Sequence, residues 1–150
     1  LSRQTLKEIP KTKRQISNIS RGGYVVYGDS SDPDAIIIAT GSEVSISVSA
    51  AEQLKIKGVN VRVISMPCQE VYERQTLAYK NKCIPKNFDN ILAIESGIGD
   101  SWHKFVGKKG AMISMESFGL SGTGRDVMNH FGFSVSNIKK NINKLIKKNR

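Results

Sequence analysis

The sequence has few of the residues that bind metals or form disulfides: two cysteines and two histidines in 150 residues. Cys68 and Cys83 lie fifteen positions apart, and His103 and His130 are the only other soft ligands. This spacing does not match a zinc site, which needs three or four such ligands in close register. We therefore expect two reduced thiols in a cytoplasmic protein.

Long hydrophobic runs are also missing. The longest apolar stretch, residues 35–39, is far shorter than the roughly 20 residues that span a bilayer. The first residues lack the apolar core of a signal peptide, and the chain does not begin with Met. We therefore predict no membrane partner and interpret the chain as a piece of a longer protein.

Acidic residues are scarce: 13 Asp and Glu stand against 23 Lys and Arg, for a formal net charge of +10. The basic excess lies at the two ends, since residues 1–23 carry six basic groups and one acid, and residues 139–150 carry six basic groups and no acid. Residues 24–138 have a net charge of −1. A nearly neutral body with basic ends is weak evidence for a nucleic-acid interface. We predict no nucleic-acid partner, and a basic nucleic-acid-binding scaffold is the least favoured alternative.

Strand and helix patterns alternate along the rest of the chain. Residues 1–22 have no clear period and contain Pro10, which predicts an extended arm or linker before a single α/β domain over residues 23–150. Strands are predicted at residues 23–27, 35–40, 59–65, 91–95 and 111–115. Helices are predicted at residues 44–54, 71–84 and 102–106, after the capping residues 123–126, and from residue 134 to the end.

This order of elements predicts an α/β sheet whose central strands are parallel and buried on both faces. The turn at residues 28–33 is short enough for a hairpin, so the first two strands are expected to be antiparallel. The last helix has an apolar face and many lysines. We expect it to dock on the sheet, and an anionic membrane surface or a partner protein is the alternative.

Candidate binding loops follow the strands, because ligands of open α/β sheets lie beyond the carboxyl ends of the strands. Thr40, Gly41 and Ser42 open a helix whose free N–H groups suit an anion, although Ser42 is also an ordinary N-cap. Residues 121–124 resemble a phosphate-cradling turn only weakly. Glu95 and His103 are an alternative acid–base pair, for which structural roles are the simpler interpretation.

Several short blocks, in this order and spacing, resemble the end of transketolases over about residues 1–138. The blocks are Leu1-Ser2-Arg3-Gln4, Arg21-Gly22-Gly23-Tyr24, Ala39-Thr40-Gly41-Ser42-Glu43-Val44, Val63-Ile64-Ser65-Met66-Pro67, Trp102-His103-Lys104-Phe105-Val106-Gly107 and Phe131-Gly132-Phe133-Ser134. The sequence departs from the family after Gly119, where Ser121-Gly122-Thr123 stands in place of a usual Ser-Ala-Pro block.

The resemblance implies a three-layer sandwich with a mixed five-stranded sheet, mostly parallel with one antiparallel edge strand, and helices on both faces. It also implies a parent enzyme, a homodimer of the pentose phosphate pathway, that transfers a two-carbon ketol unit between sugar phosphates. Such an enzyme uses thiamin diphosphate and Mg²⁺ or Ca²⁺, bound by domains that precede this one. No catalytic, cofactor-binding or metal-binding residue is then expected in this chain.

One family site carries over by resemblance: Arg3 is similar to the arginine that binds the phosphate of the sugar substrate. A planar guanidinium suits such a contact. Dihydroxyacetone synthase, a related thiamin enzyme, shares these blocks and stays an alternative parent. A free-standing anion-binding or nucleotide-binding module that uses Thr40, Gly41 and Ser42 is the alternative from a different functional class.

Overall fold

The computed structural model describes residues 8–28, 31–115 and 123–149. Its strands are β1 (Tyr24–Tyr27), β2 (Ala35–Ala39), β3 (Val61–Ser65), β4 (Ile91–Glu95) and β5 (Ala111–Ser114). They form one sheet in the order β1-β3-β2-β4-β5. β2 pairs in parallel with β3 and β4, β4 pairs in parallel with β5, and β1 runs antiparallel to β3. The mixed five-stranded sheet with one antiparallel edge strand is confirmed.

Seven helices accompany these strands in the described residues. They are α1 (Lys13–Asn18), α2 (Glu43–Lys55), α3 (Gln69–Glu73), α4 (Leu77–Cys83), α5 (His103–Val106), α6 (Gly124–His130) and α7 (Val135–Lys148). α2 and α7 pack on one face of the sheet, and α3, α4 and α5 contribute buried side chains to the other. The three-layer prediction is therefore confirmed.

The central strand β2 shows why the fold needs both layers of helices. Ile36 and Ile38 point to the face that α3, α4 and α5 cover, whereas Ala35, Ile37 and Ala39 point to the face that α2 and α7 cover. All five residues are fully buried. Burying one isoleucine side chain contributes about 1.5–3 kcal/mol, so a strand apolar on both faces is stable only between two layers.

The C-terminal helix α7 docks on the sheet, as expected. Its Ile138, Ile142 and Leu145 are buried, and they join the core formed with α2. The capping prediction before α6 is also confirmed, since Thr123 Oγ1 accepts a hydrogen bond from the Asp126 backbone N–H at 3.3 Å. No helix in the described part of the chain is both long and apolar enough to cross a membrane.

The predicted hairpin between the first two strands is wrong, although their opposite directions are correct. β1 pairs with β3, with Tyr24 opposite Ser65 and Val25 opposite Ile64, and not with β2. β3 therefore lies between β1 and β2. A short connection permits a hairpin but does not require one, because β3 offers β2 a parallel partner through the α2 crossover.

The single helix predicted at residues 71–84 is two helices, α3 and α4. Thr76 leaves the helical conformation, with ψ near 150°, and its side chain accepts a hydrogen bond from the Tyr79 N–H. Threonine favours such N-cap positions because its side-chain oxygen satisfies a free N–H of the first turn. β3 also begins two residues later than predicted, since the Val59 N–H bonds to the Leu54 carbonyl and closes the end of α2.

The arm predicted as extended is helical over residues 13–21. Thr12 and Gln15 form a reciprocal capping box that starts α1, and a 3₁₀ turn (Ile19–Arg21) continues it. Gly22 ends this segment with a φ of 80°, and its carbonyl accepts a hydrogen bond from the Cys68 N–H at 3.0 Å. The helix was not predicted because a search for apolar periodicity does not detect capping residues in a short polar segment.

Candidate functional site

The connections that leave β2 and β4 diverge and open a crevice at the carboxyl edge of the sheet. β2 continues into α2 on one face, whereas β4 continues into α5 on the other. Because the two strands are parallel neighbours, residues 40–43 and 95–99 flank the crevice. Such a divergence is the usual position of ligand sites in open α/β sheets. The structure thus brings the predicted Thr40, Gly41 and Ser42 loop to the expected edge.

The turn before α2 is not the capped helix start that the sequence predicts. Ser42 is already helical, with φ −65° and ψ −28°, and its side chain makes no capping hydrogen bond to the backbone. Its hydroxyl instead lies 2.6 Å from Glu43 Oε1 and donates to it. The Thr40 carbonyl accepts from the Glu43 N–H at 3.2 Å, which closes the turn at Gly41. Glu43 therefore stabilises the first turn of α2 through its side chain, which accepts from Ser42, and its N–H, which donates to Thr40.

Two carboxylates line the crevice. Glu43 is only 2% exposed and lies in the first turn of α2, where the helix dipole favours negative charge. Glu95 ends β4, and its Oε2 accepts a hydrogen bond from Trp102 Nε1 at 3.2 Å. Burial and then the negative charge of Glu43 raise the pKa of Glu95, while the Gly97 N–H and Trp102 lower it in part.

These charges weigh against an anion at Thr40, Gly41 and Ser42. A phosphate in the crevice would meet the carboxylate of Glu43, which already interacts with the helix start, and the nearby Glu95. The anion site stays a prediction, and the surroundings of the loop favour a neutral or cationic group instead.

Glu95 and His103 do not form the alternative acid–base pair. Trp102 takes the hydrogen bond to Glu95, and His103 is exposed on the following helical turn. No hydrogen bond joins Glu95 to His103 in the part of the chain that the structure describes. The structural interpretation of both residues therefore fits better than a catalytic one.

Other predicted positions fall outside the described residues. Arg3 and residues 121–122 lie there. The loop after β3 is described, and it is tied to its surroundings by backbone contacts: the Met66 N–H bonds to the Ala39 carbonyl at 2.9 Å, and the Cys68 N–H bonds to the Gly22 carbonyl at 3.0 Å. This loop braces the β2 end of the crevice.

The crevice does not fit thiamin diphosphate, and the described residues do not fit a divalent cation. They contain no group of three or more His, Cys, Asp and Glu residues that could hold a metal ion. The crevice, moreover, presents two carboxylates to any diphosphate. We therefore derive no cofactor chemistry from this chain, and the assignment of both groups to other domains stays a prediction.

Sequence reasoning missed a second concave region, between α1 and α4 along the open edge of β1. Arg14, Arg21 and Lys82 line it together with Tyr79. The excess of basic residues in the first 23 positions was the only available signal. Without the helix α1, nothing in the sequence indicated that these side chains share one groove.

The fold and the crevice define an α/β domain of three layers, and its described residues include no group that could hold a metal ion. The family model that matches residues 22–134 is described as the transketolase-like C-terminal domain. It covers most of the chain. The chain therefore belongs to the family of transketolase C-terminal domains.

Curated and solved relatives agree with this assignment. Transketolase 1 of Escherichia coli (strain K12) is 43% identical over 138 residues, which are 92% of this chain and 21% of that protein. A transketolase variant from Pichia stipitis superposes with a TM-score of 0.86 at 29% identity, over 97% of this chain and 21% of that one. Transketolase from Leishmania mexicana gives 0.81 at 32% identity, over 89% and 19%. The chain thus spans about a fifth of these relatives.

Proposed function

We propose that this chain is the C-terminal domain of a larger thiamin diphosphate-dependent transketolase, which transfers a two-carbon ketol unit from a ketose phosphate to an aldose phosphate. The observation that carries this proposal is the 43% identity to a transketolase over 92% of the chain. The parent enzyme would use Mg²⁺ or Ca²⁺ with the cofactor and act as a cytoplasmic homodimer in the pentose phosphate pathway. Alone, the chain would be inactive.

Within that enzyme, the domain would support assembly. Ile56, Leu77 and Ile98 are large apolar side chains with exposed fractions of 86%, 74% and 76%. Burying such side chains against the preceding domains of the same polypeptide, or against the second subunit, would remove apolar surface from water. The carboxyl-edge crevice would then have a structural role, since Glu43 and Glu95 already accept hydrogen bonds from Ser42 and Trp102.

The domain would also supply one contact to substrate. The resemblance of Leu1-Ser2-Arg3-Gln4 to a family block supports Arg3 as a ligand of the sugar phosphate. An arginine binds a phosphate through two parallel N–H donors and keeps its charge at any physiological pH. The catalytic groups would all come from other domains.

The first experiment is the mass of the native gene product in cell extract, detected with an antibody against this chain. We expect a band several times larger than 16.5 kDa, because the chain spans about a fifth of its relatives. The purified product should transfer ketol units when thiamin diphosphate and Mg²⁺ are supplied, and the 150-residue chain should not.

A native band near 16.5 kDa would contradict the proposal. The free-standing anion-binding or nucleotide-binding module that uses Thr40, Gly41 and Ser42 would then become the leading hypothesis. Phosphate or nucleotide titration, followed through the amide signals of Gly41 and Ser42, would test it.

A further inference from the structure

A groove of about 760 Å³ follows the open edge of β1. α1 and the 3₁₀ turn after it form one wall, and Tyr79, Lys82 and Cys83 of α4 form the other. The floor is β1 itself, through Val25 and Val26. The volume lies within the range of about 300–1,000 Å³ that is typical of small-molecule sites. The groove lies along the antiparallel edge strand, two strands away from the crevice between β2 and β4.

The charge of the groove has one sign. Arg14, Arg21 and Lys82 line it, and no Asp or Glu does. No salt bridge within the described residues involves any of these three cations, whereas Lys104 and Lys109 elsewhere are paired with Glu73 and Asp89 at 2.8 Å. Unpaired like charges that face one cavity repel one another, and an anion between them relieves that repulsion.

One of the three cations, Arg21, has a contact that helps to fix its position. The guanidinium of Arg21 lies 4.6 Å from the centre of the Tyr79 ring, and Tyr79 in turn donates its hydroxyl to the Gly23 carbonyl at 2.9 Å. Burial raises the pKa of Tyr79 to about 12, and the charges of Arg21 and Arg14 oppose that rise. Both arginines therefore lie near enough to the Tyr79 ring for their charges to lower its pKa.

The wall that carries both arginines is anchored to the floor. Gln15 Nε2 donates to the Val25 and Val26 carbonyls at 3.3 and 2.9 Å, so α1 cannot move away from β1 without breaking both bonds. Arg14 precedes Gln15 and Arg21 ends the same helical segment. A preformed arrangement of donors reduces the entropy lost when a ligand binds.

We propose that this groove binds a small phosphorylated molecule. Two guanidinium groups and one ammonium group match the charge and the hydrogen-bond acceptors of a phosphate or diphosphate. The walls on both sides and the volume of the groove favour a small ligand over a nucleic acid. The proposal is independent of the transketolase activity and of Arg3.

The test is a titration of the full 150-residue chain, labelled with ¹⁵N, with inorganic pyrophosphate at constant ionic strength. We expect saturable shifts of the amides of Gln15, Arg21, Val26 and Tyr79, with a dissociation constant in the millimolar range or below. Gly41 and Ser42 should not shift, which separates this groove from the loop before α2. The variant Arg14→Gln/Arg21→Gln should bind at least tenfold more weakly.

The matched control is Lys57→Gln/Lys108→Gln, which removes the same charge from exposed positions outside the groove. It should keep the affinity of the wild type. Because Arg21 also stacks on Tyr79, a second variant, Lys82→Gln, removes a groove cation without touching that contact, and a several-fold weakening is expected.

Three results would overturn the proposal. Shifts that do not saturate, or that weaken equally in the control variant, would show only general attraction to a basic chain. Shifts centred on Gly41 and Ser42 would show that the anion binds at the carboxyl edge of the sheet and not in the groove. A short single-stranded oligonucleotide that shifts the groove amides while pyrophosphate does not would assign the groove to nucleic acid.

Discussion

Gln15 joins α1 to Val26 across the open edge of the sheet. Its Nε2 donates to the Val26 carbonyl at 2.9 Å, while its Oε1 accepts from the Thr12 backbone N–H at 2.9 Å. The β1–β3 register shifts between Val25 and Tyr27, and the carbonyls of Val25 and Val26 both accept from Gln15. One side chain thus starts the helix and covers part of an edge strand that would otherwise present free carbonyls.

Replacing this amide should detach α1 while leaving the sheet folded. For Gln15→Ala we expect the free energy of unfolding to fall by about 1–2 kcal/mol, the range for losing a capping bond and a bond to the backbone. Urea denaturation measures the change, and amide hydrogen exchange should show faster exchange in α1 than in β2. The control is Gln53→Ala, whose side chain makes one exposed bond to Lys139. A loss in the control equal to that in Gln15→Ala would contradict this role.

Gly22 and Gly58 have nearly the same backbone conformation in different surroundings, with φ of 80° and 78°. A Cβ at Gly22 would lie 2.4 Å from the Cys68 carbonyl oxygen and 2.5 Å from the Tyr72 nitrogen, whereas a Cβ at Gly58 would meet nothing within 4 Å. Gly58→Ala should cost about 1 kcal/mol for the left-handed conformation alone.

Gly22→Ala should cost clearly more, about 3 kcal/mol or above, because the backbone of α3 must also move. The difference between the two variants in thermal or urea denaturation isolates the steric part, since the conformational part is shared. Equal losses of unfolding free energy in the two variants would show that the close contact of residue 22 with the start of α3 does not affect stability.

The sequence predicts the layers of this fold better than its edges. Ile36, Ile38, Leu92 and Ile94 are in strands buried on both faces, and an uninterrupted apolar run is enough to indicate such strands. The pairing of β1 was not predictable in the same way. The partner of β1 depends on which strand lies beside β2. The crossover through α2 determines this, and the residues of β1 and its turn do not.

The site illustrates the same limit. Position alone placed Thr40, Gly41 and Ser42 at the carboxyl edge of the sheet. The sequence could not show that Glu43 and Glu95 approach each other there, because residues 52 positions apart meet only through the β2–β4 pairing. The basic groove likewise depends on a short helix whose signals are two polar capping residues, Thr12 and Gln15.

Arg62 caps the end of α4 from within the core. It is only 5% exposed, and its Nη1 donates to the Lys82 and Cys83 carbonyls at 3.2 and 2.8 Å. These are among the last carbonyls of the helix, which have no partner within it. Arg62→Met keeps much of the side-chain volume but leaves both carbonyls without this donor. We expect the free energy of unfolding to fall by about 2–4 kcal/mol.

Arg62→Lys serves as the matched comparison for that variant. It retains a charged donor on a shorter side chain, so an intermediate loss is expected. Far-ultraviolet and near-ultraviolet circular dichroism should show that the fold persists before urea denaturation is compared. A Met variant as stable as the wild type would mean that α4 needs no donor at its end.

Glu95 should make stability fall as the pH rises. Burial and then Glu43 raise the pKa of Glu95 above its value in the unfolded chain. The folded state therefore holds the proton more tightly, and its advantage is complete below the unfolded pKa and lost as the pH passes the folded pKa. Because Glu95 is only partly buried, we expect an effect below about 1 kcal/mol after solvent screening.

Glu95→Gln tests this sign, since the amide oxygen can still accept from Trp102 while the charge is removed. The variant should match the wild type in urea denaturation at pH 4 and exceed it modestly at pH 7. A ¹³C titration of the Glu95 carboxyl gives its pKa in the folded state directly. A variant less stable than the wild type at pH 7 but equal at pH 4 would reverse the assignment.

Arg3 can be tested only in the parent enzyme that we propose. Arg3→Ala should raise the KM for phosphorylated sugars about tenfold or more, the loss of one charge-assisted phosphate contact, while kcat changes less. A donor substrate without a phosphate should show no such rise, because the missing contact has no partner there. Lys57→Ala, at an exposed position outside the basic groove, is the control that removes an equal charge. An unchanged KM for Arg3→Ala, or an equal rise with the unphosphorylated donor, would exclude Arg3 as the phosphate ligand.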